Sequence, residues 1–253
     1  MALLEVHNLV KAFGGLNAND DVSFVIEKGE LLGLIGPNGA GKTTCFNCIA
    51  GMFPPTSGRI VFDGEDVTGL PAHEMARRGL ARTFQVYTAG GDLTVGENVL
   101  VGCFMHTRSR SSARSKADGI LEQMGLKEFR NQLVSELPVA AQKRVTMATA
   151  LGTDPKLLLL DEVAAGLNPS EIEATMAGIR RINAEHGVTV MLIEHVMELV
   201  MNISHRVIVL DYGRKIAEGC PKDIVRDPQV IKAYLGERYV REHATEFGGS
   251  AIP

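Results

Sequence analysis

Residues 36–44 read Gly-Pro-Asn-Gly-Ala-Gly-Lys-Thr-Thr, the spacing G-x-x-x-x-G-K-T of a phosphate-holding loop. Gly36, Gly39 and Gly41 let backbone N–H groups turn inward around phosphate oxygens, and the start of the following helix adds a partial positive charge. Lys42 brings a full charge, and Thr43 is placed to ligate Mg²⁺. The apolar run Leu-Leu-Gly-Leu-Ile precedes the pattern and a helix follows it, which is the context that gives the pattern its meaning.

A second apolar run, Leu-Leu-Leu-Leu, ends in Asp161 and Glu162. A strand of this kind delivers two carboxylates to the carboxyl end of a sheet, beside the phosphate loop. The two acids suit different work. Asp161 is expected to hold the metal, often through water, and Glu162 to polarise a water that attacks the terminal phosphate. The chemistry implied is ATP hydrolysis. A third strand pattern, Val-Thr-Val-Met-Leu-Ile-Glu, is followed by His195.

These groups need a sheet to carry them. The segments 156–162, 188–195 and 206–213 read as strands, and the first two flank a long helical pattern that opens on Asn168 as cap and Pro169 in the first turn. Strand, helix, strand argues for a parallel sheet. The amino-terminal part is sheet-rich as well, with an Asp63-Gly64 hairpin turn. From Thr94 to Leu151 the texture is helical, interrupted by a basic stretch containing Arg108, Arg110, Arg114 and Lys116, expected to be a solvated loop or helix end.

Composition narrows the field. The 253 residues carry 26 Lys+Arg against 30 Asp+Glu, a net charge of −4, so there is no broad basic field for a nucleic-acid partner. No apolar run approaches the ~18 residues of a membrane-spanning helix, and the amino end does not read as a secretory signal. The expectation is a cytoplasmic chain. The four cysteines give no disulfide framework, and Cys45 and Cys48 read as neighbours on a helix rather than a redox pair.

Taken in order, the phosphate loop, Gln85 in "ARTFQ", the helical stretch, "LLLLDE", "AGLN" and His195 resemble an ATP-binding subunit of an ABC transporter. The likeness covers nearly the whole chain and is narrower still to subunits that power high-affinity branched-chain amino-acid uptake. The resemblance implies an α/β fold: a RecA-like P-loop NTPase core with an antiparallel β edge subdomain and an inserted α-helical subdomain. It implies one ABC ATPase domain over residues 1–240, with 1–85 and 152–240 as core, 86–151 as the helical part, and 241–253 as a loose tail.

It also implies roles. Phe13 would stack on adenine, with a core aromatic as the alternative. ATP would be held by Gly36, Pro37, Asn38, Gly39, Ala40, Gly41, Lys42, Thr43, Thr44 and Asp161, and Mg²⁺ by Thr43, Gln85 and Asp161. Gln85 would also report nucleotide state, His195 would contact the γ-phosphate, and Asn168 would touch an opposing subunit. The partners implied are a second ABC ATPase subunit, identical or different, transmembrane permease subunits, and indirectly a solute-binding protein, with the chain peripheral on the inner face of the membrane. A regulatory subunit that binds nucleotide with little hydrolysis is the alternative.

Three departures from the family pattern stand out. Where it usually reads L-S-G-G-Q, this chain reads Leu137, Pro138, Val139, Ala140, Ala141. In the family that segment caps the partner's ATP with a serine hydroxyl and glycine N–H groups. Pro138 offers neither hydroxyl nor N–H, so the helix start is expected to survive while the site it makes weakens. Val163 stands where proline usually follows the Asp-Glu pair, and Val196 where an acid often follows the histidine.

Overall fold

The computed structural model describes residues 1–83 and 92–242. In chain order the elements are β1 (Ala2–Phe13), β2 (Leu16–Glu27), β3 (Leu31–Ile35), α1 (Lys42–Ile49), β4 (Ser57–Phe62), β5 (Glu65–Asp66), α2 (Ala72–Arg77), β6 (Leu80–Arg82), α3 (Val95–Cys103), α4 (Arg110–Gln123), α5 (Val139–Gly152), β7 (Leu157–Asp161), α6 (Pro169–His186), β8 (Thr189–Ile193), α7 (Met197–Ile203), β9 (Arg206–Asp211), β10 (Arg214–Gly219), α8 (Pro221–Ile224) and α9 (Pro228–Glu242).

One sheet has the strand order β10-β9-β3-β8-β7-β6. Its inner strands pair in parallel and β10 joins the edge antiparallel. Every residue of β3, β7 and β8 is buried, as expected for parallel strands covered on both faces. The alternation of side chains divides them between two cores. Leu31, Leu158, Leu160, Val190, Leu192 and Val207 face the helices α3 to α7, while Leu32, Leu34, Leu157, Leu159, Met191 and Ile208 face α1 and the second sheet. That second sheet, β2-β1-β4-β5, is antiparallel, and the Asp63-Gly64 turn joins β4 to β5 as expected.

Helix boundaries follow local chemistry. Thr94 caps α3 and Asn168 caps α6, each in a capping box with the glutamate three residues on. Gly187 ends α6 in the left-handed conformation. The basic stretch begins in the break after α3, where Arg108 lies, and continues as a helix end: Arg110, Arg114 and Lys116 fall in the first half of α4, behind a Ser109 cap. At the other end, α9 runs to Glu242, two residues into the segment expected to be loose.

Candidate functional site

The phosphate loop leaves the sheet at the carboxyl end of β3 and enters α1 at Lys42. Its glycines are dictated by space. A Cβ on Gly36 would lie 2.1 Å from the carbonyl oxygen of Leu210 in β9, and one on Gly41, at φ 95°, would lie 2.1 Å from that of Ala18 in β2. The loop is tied to its surroundings by backbone bonds from Ala40 N–H to Pro37 O at 3.1 Å and from Gly213 N–H to Ala40 O at 3.1 Å. Asn19, fully buried, donates from Nδ2 to Gly41 O at 3.1 Å. Ala40 is buried, Asn38, Gly39 and Thr43 are exposed, and Pro37 and Thr44 are partly so.

Lys42 donates from Nζ to Gly36 O at 2.7 Å and Pro37 O at 2.9 Å, which uses two of its three N–H groups and leaves one for an anion. Burial lowers the pKa of this ammonium, and the nearby Glu162 and Asp161 carboxylates work in the opposite direction. The loop cation and the two acids therefore share one site although they lie 119 and 120 residues apart in sequence.

Strand order refines the sequence picture. β7, which ends in Asp161, is not hydrogen-bonded to β3; β8 lies between them. His195, two residues past the end of β8, is exposed and emerges on the same edge as the phosphate loop and Glu162. Glu162 N–H donates to Ile193 O at 2.9 Å. Glu162 has φ 49°, a left-handed conformation that costs a residue with a Cβ about 1–3 kcal/mol unless its surroundings hold it there.

Asp161 is 6 % exposed, and its Oδ2 accepts from Arg82 Nη2 at 2.8 Å. Arg82, the last residue of β6, also donates to Asn47 Oδ1 of α1, and its guanidinium carbon lies 6.0 Å from the centre of the Phe46 ring. An ionised carboxylate has acceptor sites on both oxygens, so Asp161 can keep Arg82 and still accept at Oδ1. Sequence patterns did not single out Arg82, Asn47 or Asn19. Arg82 lay inside the quoted "ARTFQ", but its partner lies 79 residues away and no local spacing marks it.

The remaining candidates fall as follows. Phe13 closes β1, is 50 % exposed, and meets Phe53 edge to face at 5.6 Å, with Lys11 Nζ 5.1 Å from its ring centre. It is not a core aromatic. Asn168 is exposed and caps α6. Gln85 lies outside the described residues. Pro138 is the N-cap of α5, with no side-chain cap bond, and its φ of −56° suits that position. Pro138 and Val139 are exposed, whereas Leu137 and Ala141 are buried, so packing accounts for the flanks of this stretch and not for its tip. Cys45 and Cys48 are buried side by side in α1, where burial raises both thiol pKa values, that of Cys48 to about 11.

Among the described residues no group of three or more His, Cys, Asp or Glu side chains is arranged to hold a metal ion. Mg²⁺ takes one or two protein oxygens and completes its octahedron with waters and phosphates rather than an all-protein cage. The hydroxyl of Thr43 and the carboxylate of Asp161 are hard oxygen donors of that kind.

The ABC transporter family profile matches residues 19–165, and that of the branched-chain amino acid ATP-binding cassette transporters matches residues 214–240. The chain belongs to the ABC transporter ATP-binding family. It is 43 % identical, over 93 % of its length and 98 % of the relative's, to the high-affinity branched-chain amino acid transport ATP-binding protein BraF of Pseudomonas aeruginosa. Identity to the corresponding Escherichia coli protein LivG is 42 %, over the same shares. Among solved structures, a nucleotide-free ATP-binding cassette from an ABC transporter superposes with a TM-score of 0.85 at 32 % identity, covering 94 % of this chain and 100 % of that one. The ADP conformation of a cassette superposes equally well, at 33 % identity over the same shares. The two-sheet arrangement is thus the ABC ATPase fold, and the chain is an ATP-binding ATPase coupled to transport. ATPases of this family dimerise and work with membrane-spanning permease subunits. No helix of the described residues is long and apolar enough to cross a membrane.

Proposed function

We propose that the chain hydrolyses ATP to drive an importer of branched-chain amino acids or related small polar or amide solutes. It works head to tail with a second, related ATPase subunit on the inner face of the cell membrane, beneath the permease that receives solute from a binding protein. The substrate class rests on BraF and LivG, each named as a branched-chain amino acid transport ATP-binding protein. The observation that carries the mechanism is the convergence of Lys42, Asp161 and Glu162 at one end of the sheet. In this reading residues 1–85 and 152–240 form the core and β edge, 86–151 the helical part, and 241–253 a tail.

The phosphate tail of ATP lies along the loop from Gly36 to Thr44, held by backbone N–H groups, the α1 terminus and Lys42. Phe13, exposed at the end of β1, offers its ring to adenine. Thr43, Asp161 and Gln85 hold Mg²⁺, which supplies charge neutralisation at the phosphate oxygens when bound. Glu162 takes a proton from the attacking water, and His195 steadies the γ-phosphate from the neighbouring strand end.

The dimer is asymmetric in this reading: the phosphate loop of this chain meets an intact signature on its partner, while Pro138–Ala141 caps the partner's nucleotide poorly. Glu162→Gln tests the central step. With the partner subunit present, the variant is expected to bind ATP, lose steady-state turnover and lengthen the lifetime of the ATP-bound dimer, measured by phosphate release and size-exclusion chromatography. Unchanged turnover and dimer lifetime would favour a subunit that binds nucleotide for regulation.

A further inference from the structure

Two side chains outside the expected site converge on the backbone that presents Glu162. Lys143 of α5, close behind the Pro138 cap, reaches across to the turn after β7 and donates from Nζ to Glu162 O at 3.1 Å and to Ala165 O at 2.6 Å. Glu194, immediately before His195, is 1 % exposed and accepts the Ala164 N–H on Oε1 at 2.7 Å. Its Oε2 is buried and has no hydrogen-bond partner. The turn is therefore gripped from both sides, by a lysine on a helix and by a buried carboxyl group at the end of the neighbouring strand, whose pKa burial raises.

A carboxyl group at this depth is costly to keep, and a residue that only filled space would be apolar. What Glu194 does there is accept the Ala164 N–H, and that bond fixes Ala164, two residues past Glu162. Burial lowers the pKa of Lys143, and the nearby Glu194 and Glu162 carboxyl groups work in the opposite direction. The same ammonium thus balances the buried acid and clamps the carbonyl of the residue whose side chain does the work. Val163, buried at 4 % exposure, has neither the fixed φ nor the missing N–H of a proline, so the rigidity of this turn has to come from outside it.

We propose that Lys143 and Glu194 are positioning residues for Glu162, holding its left-handed backbone so that its carboxylate is aimed at the attacking water. The inference rests on the reading of Glu162 as the group that activates that water. A corollary is that α5 cannot shift against the Glu162 turn without breaking both bonds of Lys143. The helix that opens at the degenerate signature is thereby tied to the hydrolytic residue of its own chain.

The test measures ATP turnover of the full chain with its partner subunits, together with binding of a fluorescent ATP analogue and thermal stability. Lys143→Met keeps the stem and removes the donors. It is expected to lower kcat about tenfold or more, with KM and nucleotide affinity within about twofold, the pattern of an interaction felt in the transition state. Lys143→Arg restores donors and part of the rate. Glu194→Gln keeps an acceptor for Ala164 but not the charge facing Lys143 and is expected to retain part of the rate, while Glu194→Leu falls as Lys143→Met does. Turnover lost in Glu162→Gln but kept in Lys143→Met and Glu194→Leu overturns the positioning inference alone. Turnover unaffected by Glu162→Gln overturns the reading of Glu162 and this inference with it. A Lys143→Met rate loss matched by equal losses of nucleotide affinity and melting temperature also overturns it, since that is the signature of a merely structural residue.

Discussion

Replacing Arg82 by Met should destabilise the chain more than any surface change and should make its stability depend on Mg²⁺. The Arg82 and Asp161 side chains are 9 % and 7 % exposed and lie 2.8 Å apart. Removing one member of a buried pair leaves the other charge uncompensated, at a cost of about 3–5 kcal/mol. In a chain of this length each kcal/mol moves the melting temperature by about 2–4 °C, so the expected drop is roughly 6–20 °C.

The drop should fall mostly on the pair, because Asp161→Asn in the Arg82→Met background removes the orphaned charge. The double variant should then be more stable than the sum of the two single losses by about 2 kcal/mol. If Asp161 also holds Mg²⁺, the ion restores a positive charge beside it. Mg·ATP should therefore raise the melting temperature of Arg82→Met by more than it raises that of the wild type, and ATP with a chelator should not. Differential scanning calorimetry of the four proteins, with and without Mg·ATP, measures all of this. Strictly additive losses, or a drop in Arg82→Met below about 1 kcal/mol, would refute the reasoning from burial.

The other predictions follow from the same geometry. Gly41→Ala places a Cβ 2.1 Å from Ala18 O at φ 95°; calorimetry should show weakened or lost ATP binding together with a lowered melting temperature. Cys220 is exposed, whereas Cys45 and Cys48 are buried, with the Cys48 thiol pushed up to about 11 and that of Cys45 raised as well. A thiol reagent at neutral pH should therefore modify Cys220 first and reach Cys45 only after unfolding, as read by peptide mass mapping. Pro138→Ser supplies a hydroxyl and an N–H at the exposed start of α5. Its stability should change little, since a better cap offsets the lost rigidity of proline, while phosphate release by dimers of this chain alone should rise about tenfold or more if one bond of about 1.5–3 kcal/mol is gained on the opposed γ-phosphate.

What the sequence made legible was what a short stretch of backbone decides for itself. Glycines at 36 and 41 are demanded by nearby carbonyls, but the spacing that encodes them is local, and so are the Asn168 cap with Pro169 and the Asp63-Gly64 turn. The carboxyl ends of β3, β7 and β8 could be read from apolar runs that stop at a glycine or at charged residues. The strand order could not, and β8 proved to lie between the loop strand and the acid strand. Arg82 meets Asp161 across 79 residues, and Lys143 meets Ala165 across 22; neither contact leaves a periodic trace. Glu194 was visible beside His195 but indistinguishable from any polar residue at the end of a strand. The basic stretch, read as a solvated loop or helix end, spans both: Arg108 precedes the helix, and the Ser109 cap lets α4 begin among the others.

The same contacts explain why the signature stretch can vary without disturbing the fold. Asp161 is bound to β6 and, through Arg82 and Asn47, to α1, so this acid is tied to the helix behind the phosphate loop. The Glu162 turn is bound to β8 through Ile193 O and Glu194, and to α5 through Lys143. Each tie to α5 enters after its first turn, and the buried residues nearest its start, Leu137 and Ala141, flank the tip rather than form it. The side chains of Pro138 and Val139 are exposed, and what Pro138 gives the helix is its backbone carbonyl, which accepts from Ala141 and Gln142 N–H. A substitution there changes only what the tip can offer to a surface brought against it, so the chain can lose donors for a neighbour's nucleotide while its own phosphate loop, acids and their supports stay intact.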